Sequence, residues 1–124
     1  MVQHGDRPSR VTVNLEDLLM RVENDHDLLL EMIGIFKEEF PPLLQSLQHS
    51  VASRDVENVV ATSHALKGIL SGLSVTRAAA IASQLEEMGR EGKTSEMAET
   101  LLLLENEVTG LFPELDAYTI ETEL

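Results

Sequence analysis

Asp55-Val56-Glu57-Asn58-Val59-Val60-Ala61-Thr62-Ser63-His64-Ala65-Leu66-Lys67-Gly68-Ile69-Leu70-Ser71-Gly72-Leu73 reads as one helix with its histidine on the outside. At roughly 100° per residue, Val59, Thr62, Leu66, Ile69, Leu70 and Leu73 fall within about 60° of the pole opposite His64. The core lies beneath that stripe, and the imidazole points to water. Glu57, Val60, Ala61, Gly68, Ser71 and Val75 share the face of His64. Apart from Glu57 these residues are small or uncharged, so another protein can come close. Lys67 stands one turn away, and Asp55 is placed to cap the helix.

Working outward, the chain reads as further amphipathic helices. Asn14 offers an N-cap for a short helix through Leu15, Leu18, Leu19 and Val22. Glu23-Asn24-Asp25 ends that helix and caps the next. A long second helix is predicted from about Asp27 to about Ala52, on the three- and four-residue spacing of Leu29, Met32, Ile33, Phe36, Phe40, Leu43, Leu44, Leu47 and Val51. Pro41-Pro42 falls inside it and predicts a kink or brief break, since each proline removes a backbone donor; the apolar phase continues across them, which favours a kink. Val75 to Met88 forms a fourth helix, with Ala78, Ile81, Ala82, Leu85 and Met88 on one face. Gly89-Arg90-Glu91-Gly92-Lys93 reads as a turn. Thr94 or Ser95 then caps a last helix with the seam Met97, Leu101, Leu104, Val108, Leu111 and Leu115, which Pro113 kinks or ends.

No segment alternates as a strand would, and no repeat of fixed period is present. The expected fold is all-α: an antiparallel four-helix bundle with a short additional N-terminal helix. Residues 1–13 are expected to be a flexible arm, residues 14–118 the bundle, and residues 119–124 an acidic tail.

Composition narrows the function. The chain has 124 residues, of which 43% are hydrophobic, with three Phe, one Tyr and no Trp. That fits one domain with an aliphatic core. A net charge of −13 argues against nucleic acid and against anionic membrane surfaces. The absence of cysteine excludes disulfides, thiolate metal sites and a cysteine nucleophile. No apolar run is long enough to span a membrane, so a soluble, cytoplasmic chain is expected. No phosphate-cradling glycine loop is present, which argues against ATP binding. Glu23-x-x-His26 has a spacing used by di-iron bundles, but such sites need two copies. Ser63 and His64 diverge by about 100° on a helix and do not form a hydrolase pair. Glu38-Glu39 and Glu86-Glu87 read as solvated faces, and His4 and His49 have no supporting context.

An exposed nucleophile, a nearby cation and a small-residue landing surface suggest a histidine that carries a phosphoryl group between proteins. Ser63-His64-Ala65-Leu66-Lys67-Gly68 resembles the H-x-L-K-G signature of histidine-containing phosphotransfer (HPt) domains. Phe36-Lys37-Glu38-Glu39-Phe40-Pro41 is similar to the F-x-E-E-x-P stretch of that family's second helix. Asp55 precedes the histidine at the family's usual distance. Leu85-Glu86 followed by Gly92 resembles its L-E pair and post-helix glycine. The resemblance covers roughly residues 15–112. Three positions depart from it. Ser74 stands where glycine is common, and Ile69 and Leu70 replace smaller residues; both of these point towards the core on the helical wheel, which implies repacking.

The resemblance implies that His64 is the phosphoryl acceptor and nucleophile, and that Lys67 offsets phosphoryl charge. Gly68 gives up about 1 kcal/mol of helix propensity relative to alanine, a cost explained if a side chain there would obstruct the incoming partner. Ala61, Ser71, Val75 and Val60 are docking candidates by their common phase with His64. The implied partners are response-regulator receiver domains, with a hybrid sensor histidine kinase as a further candidate. The chain would hold no cofactor of its own, the receiver would bring Mg²⁺, and the polar outer faces favour a monomer. Such a chain is a phosphohistidine carrier, without the nucleotide site of an enzyme. Two other readings use the same residues: a module that docks receivers without accepting phosphate, and a substrate domain phosphorylated from ATP by a separate histidine kinase.

Overall fold

A computed structural model of the protein describes residues 13–123. The caps predicted for the first three helices form. Asn14, Asp25 and Asp55 each accept a hydrogen bond from the backbone amide three residues on, at 2.9, 3.0 and 3.2 Å. They start α1 (Leu15–Arg21), α2 (His26–Ser53) and α3 (Val56–Gly72). Next come α4 (Thr76–Glu91), a 3₁₀ turn over Thr94–Glu96, α5 (Met97–Val108) and α6 (Leu111–Glu123).

Short connections join successive helices, and α2 to α5 make up the bundle. α3 packs against α2 and α4, α4 against α5, and α5 closes the ring against α2. The expected all-α bundle with a short leading helix is what forms. Its core is aliphatic, from Leu18, Leu29, Ile33 and Leu47 through Leu66, Leu70 and Leu85 to Met97, Leu104, Leu111 and Leu115. Phe36, Phe40 and Phe112 make one aromatic cluster, with ring centroids 5.0 to 5.9 Å apart.

Several boundaries differ from expectation. Of the kink or brief break expected at Pro41-Pro42, the break does not form, and α2 runs through both prolines as one helix. Both prolines are exposed, so the carbonyls of Lys37 and Glu38 lose their helical donors where water can serve them. Gly89-Arg90-Glu91 belongs to α4 and is no turn. Gly92, with φ of 71°, supplies the left-handed cap instead. Neither Thr94 nor Ser95 caps α5 through its side chain; the 3₁₀ turn leads straight into it. The predicted last helix is two helices. It breaks at Thr109-Gly110, and Pro113 lies in the first turn of α6, where the missing N–H has no helical partner to lose. The seam nevertheless stays buried across the break.

The domain limits shift as well. Val13 belongs to the bundle: it is buried, and its amide donates to Glu114 at 3.3 Å. Residues 119–123, expected as an acidic tail, continue α6. The remainder of the expected arm, residues 1–12, lies outside the described residues.

Ser74, the departure from the family glycine, takes the left-handed conformation that glycine favours, with φ of 58°. Its hydroxyl accepts from the Arg21 guanidinium and donates to Asp17 at 3.1 Å. A residue strained in this way is held by the bonds it makes, which fasten α1 to the corner between α3 and α4. Leu70 enters the core as expected. Ile69 is only partly buried and lines a groove against α2.

Candidate functional site

His64 stands on the outer ridge of α3 with its side chain 66% exposed. Ala61, Gly68 and Ser71 share that exposed ridge, and Val60 is half-buried beside it. Val75 is not on this face. It is 1% exposed, because it follows the end of α3 and the left-handed Ser74, where the phase of the α3 wheel no longer applies. Val75 is therefore a core residue, and no partner can dock on it.

The two sides of the ridge differ. Towards α2, the small residues Ala61, Ala65, Gly68 and Gly72 form a low lane by helical phase. Beyond it lies an apolar groove of about 140 Å³, lined by Met32, Ile35, Phe36 and Leu73 among others. Ile35 is half-exposed there although large and apolar.

Towards α4, the neighbour is a buried carboxylate. Glu86, read from sequence as part of a solvated face, is only 3% exposed. It occupies the buried stripe of α4 with Ala79, Ala82 and Gly89. Gly89 permits this close helix pairing: a Cβ there would fall 2.7 Å from Val60 Cγ2 and 3.3 Å from the Val56 carbonyl oxygen.

Three side chains meet the Glu86 carboxylate. Lys67 Nζ lies 3.0 Å from Oε1, while Oε2 takes both His64 Nδ1 at 3.1 Å and Arg90 Nη2 at 2.6 Å. The Lys67 hydrogen bond is the main influence holding the Glu86 carboxyl below its usual range. Burial opposes it, and the hydrogen bond from His64 and the charges of Arg90 and Lys67 reinforce it.

The tautomer of His64 follows. An ionised carboxylate only accepts hydrogen bonds, so Nδ1 must carry the proton it donates. In the neutral ring, Nε2 is then left with a free lone pair on the outward edge. Of the groups brought together here, His64 and Lys67 were singled out from the sequence, whereas Glu86, Arg90 and the apolar groove were not.

The remaining ionisable candidates have other surroundings. His26 Nδ1 lies 2.7 Å from Tyr118 Oη, and the two rings stack. Among the described residues, no group of three or more His, Asp or Glu is placed to hold a metal ion. None of their helices is long and apolar enough to cross a membrane.

Fold and site together define a class, a helical bundle that presents one carboxylate-backed imidazole on an open ridge. The family model of the Hpt domain matches residues 31–113, and the chain belongs to that family, the histidine phosphotransfer domains of two-component phosphorelays. Neither a curated protein nor a solved structure gives a significant match.

Proposed function

We propose that His64 accepts a phosphoryl group from the aspartyl phosphate of a receiver domain and passes it to the aspartate of another. The lone pair on Nε2 forms the P–N bond as the bond from phosphorus to the aspartyl oxygen breaks. The aspartate leaves as a carboxylate. The Nδ1 proton stays on the ring, hydrogen-bonded to Glu86, and onward transfer runs the same step in reverse. A loose transition state of this kind depends on positioning and on nearby cations. Lys67 is the cation on this chain, and the receiver brings Mg²⁺.

The observation that carries this reading is the 3.1 Å contact of His64 Nδ1 with the buried Glu86 carboxylate. It holds the ring by its inner edge and leaves the nucleophilic nitrogen facing outward. The small-residue lane and the Met32–Ile35–Phe36 groove give a receiver an apolar landing surface beside it. An apolar contact suits an acidic chain meeting an equally carboxylate-rich receiver site.

The test is transfer from radiolabelled phospho-receivers to wild type and to His64→Gln. Acid-labile, base-stable label on wild type alone is the expected result. Binding without label would reduce the protein to a docking module. Label obtained only from ATP and a histidine kinase would make it a kinase substrate domain.

A further inference from the structure

Lys67 has two claims on it. The proposed transfer needs its ammonium beside the phosphoryl group on Nε2, yet in the resting protein that ammonium is bonded to Glu86 Oε1. If Lys67 turns outward, it leaves a carboxylate that is almost wholly buried. A buried carboxylate without a counter-charge takes up a proton, and a protonated carboxyl no longer compels Nδ1 to be the donor.

Arg90 answers that conflict by its position. It sits one turn after Glu86 on α4, and its Nη2 contacts Oε2, the same oxygen that receives His64 Nδ1. Lys67 uses the other oxygen. Nδ1 and Nε2 lie on opposite edges of the imidazole, so Arg90 is on the edge away from an incoming phosphoryl group. The charged groups facing Glu86 are Lys67 and His64 from α3 and Arg90 from its own helix. On the α5 side, α4 makes its ion pair through Arg77 with Glu107 at 3.2 Å, about two and a half turns from Glu86.

We infer that Arg90 is a positioning residue for the transfer: it keeps the Glu86 carboxylate charged and aimed at His64 Nδ1 when Lys67 moves to the phosphoryl group. This rests on the phosphocarrier reading of His64. It assigns the two cations different duties, Lys67 serving the phosphoryl group and Arg90 serving the carboxylate.

The experiment phosphorylates the full chain with phosphoramidate, a small P–N donor that needs no receiver. Phosphohistidine is counted by ³¹P NMR. The side-chain carboxyl of Glu86, assigned by loss of its ¹³C resonance in Glu86→Gln, is followed between pH 5 and 8. In phosphorylated wild type and Arg90→Lys, Glu86 should stay ionised throughout. In phosphorylated Arg90→Gln its midpoint should rise by about one pH unit or more, a tenfold change in proton affinity. Unphosphorylated Arg90→Gln should move less, because Lys67 is still in place. Identical titrations in phosphorylated wild type and Arg90→Gln would overturn the inference. Failure of wild type to form phosphohistidine, or its persistence in His64→Gln, would instead overturn the phosphocarrier reading, and the inference would fall with it.

Discussion

His64 and Glu86, 22 positions apart, meet through Nδ1 and Oε2 at 3.1 Å, one side chain largely exposed and the other buried. The exposed ring is thus oriented from inside the bundle, by a buried group.

Glu86→Gln tests that orientation. The amide keeps the shape and removes the charge, and it can turn either its oxygen or its NH₂ towards Nδ1. With NH₂ inward, the ring proton moves to Nε2 and blocks attack. We expect acceptance from a phospho-receiver to slow roughly tenfold, equivalent to about 1.4 kcal/mol. ¹⁵N NMR of the imidazole should show a mixture of tautomers. Wild-type kinetics with a single Nδ1–H tautomer would remove Glu86 from the mechanism.

Acid should loosen the α3–α4 pair. The Glu86 carboxyl is held below its ordinary value of 4.5, chiefly by Lys67. Its contribution to stability is complete above that value and is lost as pH falls through the lower folded-state value. Thermal melts of wild type should therefore decline more steeply below about pH 4.5 than those of Glu86→Gln. Parallel declines would show that the ion cluster does not couple to folding.

Gly89→Ala addresses the spacing of the same two helices. Alanine gains about 1 kcal/mol in helix propensity. Its methyl group, however, meets the stiff Val60 side chain and the Val56 carbonyl, and such overpacking costs roughly 1–3 kcal/mol. The expected net result is a loss of up to about 2 kcal/mol in urea melts, with slower transfer as Glu86 moves away from His64. A variant of higher stability with unchanged transfer would mean that the helices are not held at this distance by the glycine.

Ser63→Ala should stabilise. The Ser63 hydroxyl is fully buried and has no hydrogen-bond partner among the described residues. Removing it relieves an unmet polar group, a gain of about 1 kcal/mol, or roughly 4 °C in Tm. A lower Tm would indicate that the hydroxyl is satisfied in solution, for instance by a buried water.

What was legible in the sequence lay within single helices. The outward placement of His64 follows from the α3 repeat alone, and Asn14, Asp25 and Asp55 cap as their residue types require. The errors arise where one helix meets another. α4 is rich in alanine, so its periodicity does not say which side turns towards α3, and a carboxylate on that side reads as solvated until Lys67, His64 and Arg90 are brought to it. Val75 was misplaced because the left-handed Ser74 resets the phase. The gap at Thr109-Gly110 was hidden because the apolar seam continues in register on both sides of it.

The hydrogen bond from Val13 to Glu114 spans nearly the whole length of the packed chain. Entry to the bundle and the start of its last helix thus lie side by side at one pole. This bond ties the entry into α1 to the first turn of α6, so fraying at one of these two places releases the other.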